Sequence, residues 1–250
     1  MKKYFFRFFI ISVFVASICI GNAAAQLEPV KGEGAEANAE NAFISQINAA
    51  AKAENWLDMK KFSTQLIAMN PSRWEYQKAL GDAETHLGKY QMALVVYEKT
   101  IDTIRKNAGN DFNNAEAKIK AAVSEIFLQE GNNYLKLQKY VEAIDAYTKA
   151  ANLSDNPGKA YFNICATQYN TGDMDGAVKS CDKAIQFDPN KADAWFIKGS
   201  AMFGKGELDR SGKYMPPAGT ADSLKKYLEL EPNGAHATDV KEMLWTIEAK

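Results

Sequence analysis

The chain has 250 residues, 46% of them hydrophobic and 24% charged, with 30 Lys and Arg set against 31 Asp and Glu. This is ordinary globular composition, and length alone allows one or two domains. The near-neutral balance, with no block of Lys and Arg in the mature region, lacks the electrostatic footprint of a nucleic-acid binder.

The first 25 residues read as a signal peptide. Met1 to Arg7 is a basic n-region, and Phe8 to Ile20 is an apolar run too short to span a bilayer comfortably. Gly21-Asn22-Ala23-Ala24-Ala25 supplies the small residues of an A-x-A site, so cleavage is expected between Ala25 and Gln26. An uncleaved anchor is the alternative. A lipoprotein is disfavoured because Ile18 precedes Cys19, where a lipobox has a small residue. The style of the leader suggests a Gram-negative bacterium, with the periplasm as the first expectation and secretion as the second. Residues 26–39 are rich in Gly, Ala and Glu, show no apolar period and read as a flexible linker.

Beyond the linker the sequence repeats. Phe127, Tyr161 and Trp195 are 34 positions apart, as are Gly131, Cys165 and Gly199. Residues 40–73 hold Phe43, Trp56, Leu66 and Pro71 in register with this period. Phe62 is one position out, and Ile47 stands where the later units have Gly, so the unit is a degenerate repeat or a capping hairpin. Residues 74–107 form a clearer unit with Leu80-Gly81, Gly88-Lys89-Tyr90, Ala93 and Tyr97; Trp74 serves in place of an aromatic at Gln77. Residues 108–123 are an insertion, because Gly81 to Gly131 is 50 positions, 16 more than the period. Asn113 followed by Glu116 resembles a capping box. Without a breaker except Gly131, Ala115 to Leu137 is expected to be one long helix. A loop with a short separate helix is the alternative.

Residues 124–157 and 158–191 are the two best units. In the first, Phe127, Gly131 and Tyr134 share one helix face, a turn falls at Gln138-Lys139, and Ala143, Tyr147 and Ala150 share a face of a second helix. The small residues mark where two helices cross closely. Residues 192–232 are an interrupted unit. Its loop, 209–219, carries about nine residues more than the period allows, and Pro216-Pro217 excludes helix there. Residues 233–250 end the chain in a capping helix with Val240, Met243, Leu244 and Ile247 as its buried stripe.

A period of about 34 with an aromatic, a small residue four later, an alanine and a proline closely resembles the tetratricopeptide repeat family. The resemblance implies an all-α fold, a right-handed α-solenoid of stacked antiparallel helix pairs, in an exported bacterial protein. One hairpin cannot bury both faces, and stacking closes a continuous core.

Candidates for chemistry are few. His86 and His236 lie far apart with no nucleophile or metal spacing around them, and neither HExxH, CxxC nor a phosphate loop is present. They read as surface residues or as residues at a helix start. No catalytic residue, metal or cofactor is expected. Asp173 and Asp175 sit at a helix start, where carboxylates favour the positive dipole end. Cys165 holds the small position of its unit and Cys181 the place that Tyr147 has in the preceding one. Counted from the turn, they are nearly level on antiparallel helices. They could pair in an oxidising compartment or remain buried thiols. Typical interaxial distances of about 8–10 Å against the roughly 7 Å Cα limit of a bridge leave both open.

In the family, first helices line a concave groove. The resemblance carries that role onto Leu128, Asn132 and Leu135, then Lys159, Phe162, Asn163 and Tyr169, and finally Phe196, Ser200 and Phe203. Packing of the aromatics against the neighbouring unit is the competing reading. Chaperone-binding members hold a C-terminal carboxylate with basic residues; Leu128, Asp193 and Ile197 stand where that clamp would put cations, so it is not expected here. The sequence therefore points to a non-catalytic scaffold for a protein or peptide partner in cell-envelope assembly. It carries no nucleic-acid signal, and no membrane span is expected after leader removal. Self-association as a homo-oligomeric structural part, or service as an accessory subunit of an envelope enzyme, are the alternatives.

Overall fold

The computed structural model describes residues 26–32 and 34–249; the expected leader and its cleavage site lie outside them. Among the described residues eleven helices follow one another: α1 Ala35–Lys52, α2 Trp56–Met69, α3 Trp74–His86, α4 Tyr90–Ala108, α5 Ala117–Lys136, α6 Tyr140–Leu153, α7 Gly158–Asn170, α8 Met174–Phe187, α9 Ala192–Phe203, α10 Thr220–Leu230 and α11 Ala237–Glu248. Between α9 and α10 lies a two-stranded hairpin, β1 Glu207–Leu208 and β2 Tyr214–Met215. Each helix packs on the next, and α7 also packs on α9 and α3 on α5. The result is an all-α solenoid of stacked hairpins, its core running from one end to the other as successive apolar clusters.

One pair of positions sets the approach of the two helices within each hairpin. A Cβ built on Gly131 would lie 2.4 Å from the Tyr147 ring, one on Gly81 2.5 Å from the Tyr97 ring, and one on Gly199 2.6 Å from Leu224. The first two pairs are 16 residues apart, as are Cys165 and Cys181. Gly199 and Leu224 are 25 apart, the extra nine being the inserted loop. In the first hairpin the equivalent pair is Ile47 and Ser63, both fully buried with the large and small residues exchanged. That exchange is why the first unit looks degenerate while its helices still pair. The tyrosines gain a second anchor beside the glycine: Tyr97 Oη donates to Asp82 at 2.7 Å and Tyr147 Oη to Asn132 at 2.8 Å.

The turns inside the hairpins need left-handed backbone. Gly88 and Gly172 supply it with φ of 73° and 85°, and Gln138 adopts 58° in the same place. Asp173 caps α8 by accepting from the Gly176 N–H at 2.9 Å. Pro71, Pro189 and Pro232 each follow the end of a second helix.

Two expectations change, and the inserted loop gains a defined structure. Residues 26–39 are not a linker: α1 begins at Ala35, five residues before the expected unit. The preceding segment lies along α1, with Leu27 only 6% exposed. Leu27 and Val30, three positions apart, pack against the apolar cluster around Ile44 and Ile47, in a stretch whose composition reads as loose. The long helix forms as α5, but Asn113 does not cap it; its N–H bonds the Asp111 carboxylate in a tight turn, and the helix starts after Glu116. The inserted loop is an ordered hairpin. Glu207 pairs with Met215 and Leu208 with Tyr214. Its tip is fixed by the Asp209 carboxylate, which accepts from Ser211 N–H and Lys213 N–H.

Cys165 and Cys181 are joined by a disulfide with Cα atoms 5.1 Å apart, well inside the reach of a bridge. The typical interaxial spacing does not apply, because this is the position of closest approach.

Two measurements test this packing. Gly131→Ala should lower stability by about 1–3 kcal/mol through overpacking against Tyr147, while Gly204→Ala, whose added Cβ meets nothing nearer than 3.5 Å, should be close to neutral in the same thermal melts. The native protein should resist thiol alkylation until reduced, and reduction should cost roughly 3 kcal/mol on the chain-entropy estimate. Immediate labelling of native, unreduced protein at Cys165 would contradict the bridge.

Candidate functional site

The first helices of the central units, α3, α5 and α7, stand side by side and line a hollow of about 420 Å³. Trp74, Lys78 and Asp82 face it from α3, Ala122 and Glu125 from α5, and Lys159 from α7; residues 26–28 form one wall. Spacings of four put the α3 residues on one helix face, and Ala122 and Glu125, three apart, share one on α5. Lys159 also borders two adjoining hollows, one beside Leu128 and Leu153, the other beside Phe162, Asn163 and Lys191. It is the point at which the three meet.

The floor of the central hollow is a buried ion pair. Lys78 Nζ lies 2.8 Å from Asp82 Oδ2, with both side chains at most 9% exposed. Burial alone would discharge Lys78. The charge and hydrogen bond of Asp82, with Glu125 nearby, outweigh that and hold its pKa above the usual lysine value. The other oxygen of Asp82 accepts from Tyr97, Thr85 lies 3.4 Å from the Tyr97 hydroxyl, and Asn133 Nδ2 donates to Thr85 at 2.9 Å. The network thus runs from the hollow into the seam of α3 and α4 and on to α5.

The residues expected to line a groove divide. Lys159 and Phe162 border open hollows, Phe162 with the Lys191 ammonium 4.7 Å from its ring centre. Asn163 borders the same hollow, 5% exposed, with its Nδ2 lacking a partner. Leu128 and Leu135 pack in the core between α5, α6 and α7, although Leu128 touches the edge of one hollow. Asn132 is 4% exposed and spends its oxygen on Tyr147. The three residues expected on α9 are not groove residues. Phe196 is 1% exposed, stacked 3.9 Å from the His236 ring and 5.6 Å from Tyr227. Ser200 faces Met243 of α11, and Phe203 packs against Tyr214 of the hairpin at 4.8 Å. Tyr169 packs against the same cluster, and burial raises its hydroxyl pKa. The end helix and the hairpin occupy this third of the face, because α11 takes the position that the first helix of another unit would hold.

Neither histidine lies free on the surface. His86 stacks on Trp56 at 3.7 Å, and burial lowers its pKa; His236 immediately precedes α11 and stacks on Phe196. Among the described residues no group of three His, Cys, Asp or Glu is placed to hold a metal. None of their helices is long and apolar enough to cross a membrane. The sequence reading missed Trp74, Lys78, Asp82 and Glu125. Their signal was present as polar residues at spacings of four beside an aromatic, on a helix read only for its core positions.

Residues 128–192 match the family model of the tetratricopeptide repeat. Among curated proteins, the chain is 28% identical over 180 residues to Hsp70-Hsp90 organizing protein 2 of Arabidopsis thaliana, covering 65% of this chain and 30% of that protein. It is 31% identical over 100 residues to the E3 ubiquitin-protein ligase CHIP of the same plant, covering 40% and 36%. The chain thus spans about a third of the length of these relatives. Among solved structures it resembles YrrB, described as a TPR protein with an unusual peptide-binding site, with a TM-score of 0.60 at 19% identity, over 83% of this chain and 95% of that one. It also resembles pilF of Pseudomonas aeruginosa, with a TM-score of 0.62 at 13% identity over 85% of each chain. At these identities the two structures speak for the fold alone. Residues 128–192 are thus matched to the tetratricopeptide repeat, and the same helical pairing continues on both sides of them.

Proposed function

We propose that this protein is a non-catalytic interaction scaffold that holds an extended peptide or protein segment on the face formed by α3, α5 and α7. The observation that carries this is the convergence of three hollows on Lys159. Both signs of charge border them, and Trp74, Ala79 and Ala122 add apolar lining to the central one. Such a surface offers donors and acceptors to a peptide backbone and a place for apolar side chains. The names of the relatives, organizing proteins for Hsp70 and Hsp90, and of YrrB, with its peptide-binding site, favour the same class of partner. The apolar leader and the Cys165–Cys181 pair favour work outside the cytoplasm, in the periplasm or beyond, within an envelope assembly.

Photo-crosslinking in the host tests the groove. A crosslinker replacing Ala122 should capture a partner, and Lys159→Glu should cut its yield about tenfold, equivalent to about 1.4 kcal/mol, without loss of helix. Equal capture by a crosslinker at Val141, 79% exposed and not among the residues lining these hollows, would contradict the assignment.

Self-association is a second reading, favoured by one feature. Trp245 on α11 is 74% exposed, and α11 packs beside the hairpin that exposes Leu208 and Met215. If this end joins two copies, sedimentation will depend on concentration, and Trp245→Lys will abolish that dependence.

A further inference from the structure

Asn41 and Asn48 are seven residues apart on α1, hence two turns apart on one face. Both grip the backbone of the chain's own N-terminal segment. Asn48 Oδ1 accepts from the Leu27 N–H and its Nδ2 donates to the Leu27 carbonyl, each at 2.9 Å. Asn41 does the same for Val30, at 2.7 and 3.2 Å. The registers agree: seven helical residues rise about 10.5 Å, and three steps of extended chain cover about 10 Å. Contacts of this kind read main chain, not side-chain identity. Side-chain selection comes from Leu27, whose side chain is buried with Ile44, Ile47, Tyr76, Ala79 and Ala83 between α1 and α3. Glu28 reaches on to Lys118 of α5 at 3.6 Å, an exposed contact of little weight.

We infer that the Asn41/Asn48 row and the Leu27 socket form a binding site for an extended segment, occupied in this structure by residues Gln26–Val30 as an intramolecular ligand. The inference rests on the groove reading and extends it. The seated segment walls the central hollow at its α1 side, so a partner strand running the full length of the face must displace it. That partner presents an aliphatic side chain to the Leu27 socket and a second one three residues later. Tethering gives the internal segment a high effective concentration, so displacement weakens the partner's apparent affinity.

The full chain and a labelled peptide of residues 26–31, QLEPVK, test this. Leu27→Asp unseats the internal segment and leaves both asparagines in place. The peptide should bind this variant at least tenfold more tightly than the unaltered protein, and adding Asn41→Ala and Asn48→Ala should abolish binding. Equal binding by Leu27→Asp and unaltered protein, or binding that survives loss of both asparagines, overturns the inference. If Leu27→Asp loosens α1 itself, seen as lost hydrogen-exchange protection at Ile44 and Ile47, the asparagine double variant alone decides. Loss of Val30 amide protection with α1 intact supports the site, and unchanged protection removes it. Failure here while crosslinking at Ala122 still responds to Lys159→Glu removes the internal ligand and leaves the groove. Tight peptide binding with crosslinking insensitive to Lys159 does the reverse.

Discussion

The constraint on which this solenoid depends is a volume shared by two residues across each hairpin. Where the first helix offers only a glycine, the second sends a tyrosine ring or a leucine into the gap. Where both offer a medium side chain, as at Cys165 and Cys181, they meet in a bond. Where the first offers Ile47, the second retreats to Ser63. The sum is held while the chemistry varies, as expected of an interior packed to crystal density. A ring lying on Gly81 or Gly131 leaves no room for a larger residue there, so those helices meet closely at this position, and units of unlike sequence keep the same pairing.

That geometry decides which part of the face is open. A stack of identical hairpins would leave all its first helices exposed along one side. Here α11 covers α9 through Met243 and Val240, and His236 lies flat on Phe196, so the C-terminal third is closed by the cap that the stack needs for solubility. At the other end, residues 26–30 lie over α1. What remains is the stretch across α3, α5 and α7, bounded on both sides by parts of the same chain.

The repeat was legible because its signals are local: a glycine and an aromatic at fixed spacing need no knowledge of neighbours. Helix positions that face another unit were not. Phe196 and Phe162 occupy the same place in successive units, yet one is core and the other borders a hollow, and only the identity of the next helix separates them. The hairpin in the insertion was hidden by its strands of two residues each, too short for any alternation to register. Residues 26–30 were hidden for a related reason. Their hold on α1 combines the buried Leu27 with the amides of Asn41 and Asn48, and the amides act on backbone and leave no pattern in the segment they hold.

The site and the fold are also one network. A buried lysine with its carboxylate is weak support for stability, since the two must be desolvated together. Lys78 and Asp82 escape part of that cost because Tyr97, itself fixed on Gly81, supplies a further donor to the carboxylate. Thr85 and Asn133 carry the chain of bonds into the next unit. The contact that sets helix spacing thus also orients the charges beneath the hollow. A ligand arriving there meets groups already held in place by packing, and little of its binding energy is spent on ordering the protein. A groove built this way is as rigid as the hairpin seam beneath it. On the proposed reading, its choice of ligand comes from the rim, from Lys159 and Lys118, rather than from any rearrangement of the floor.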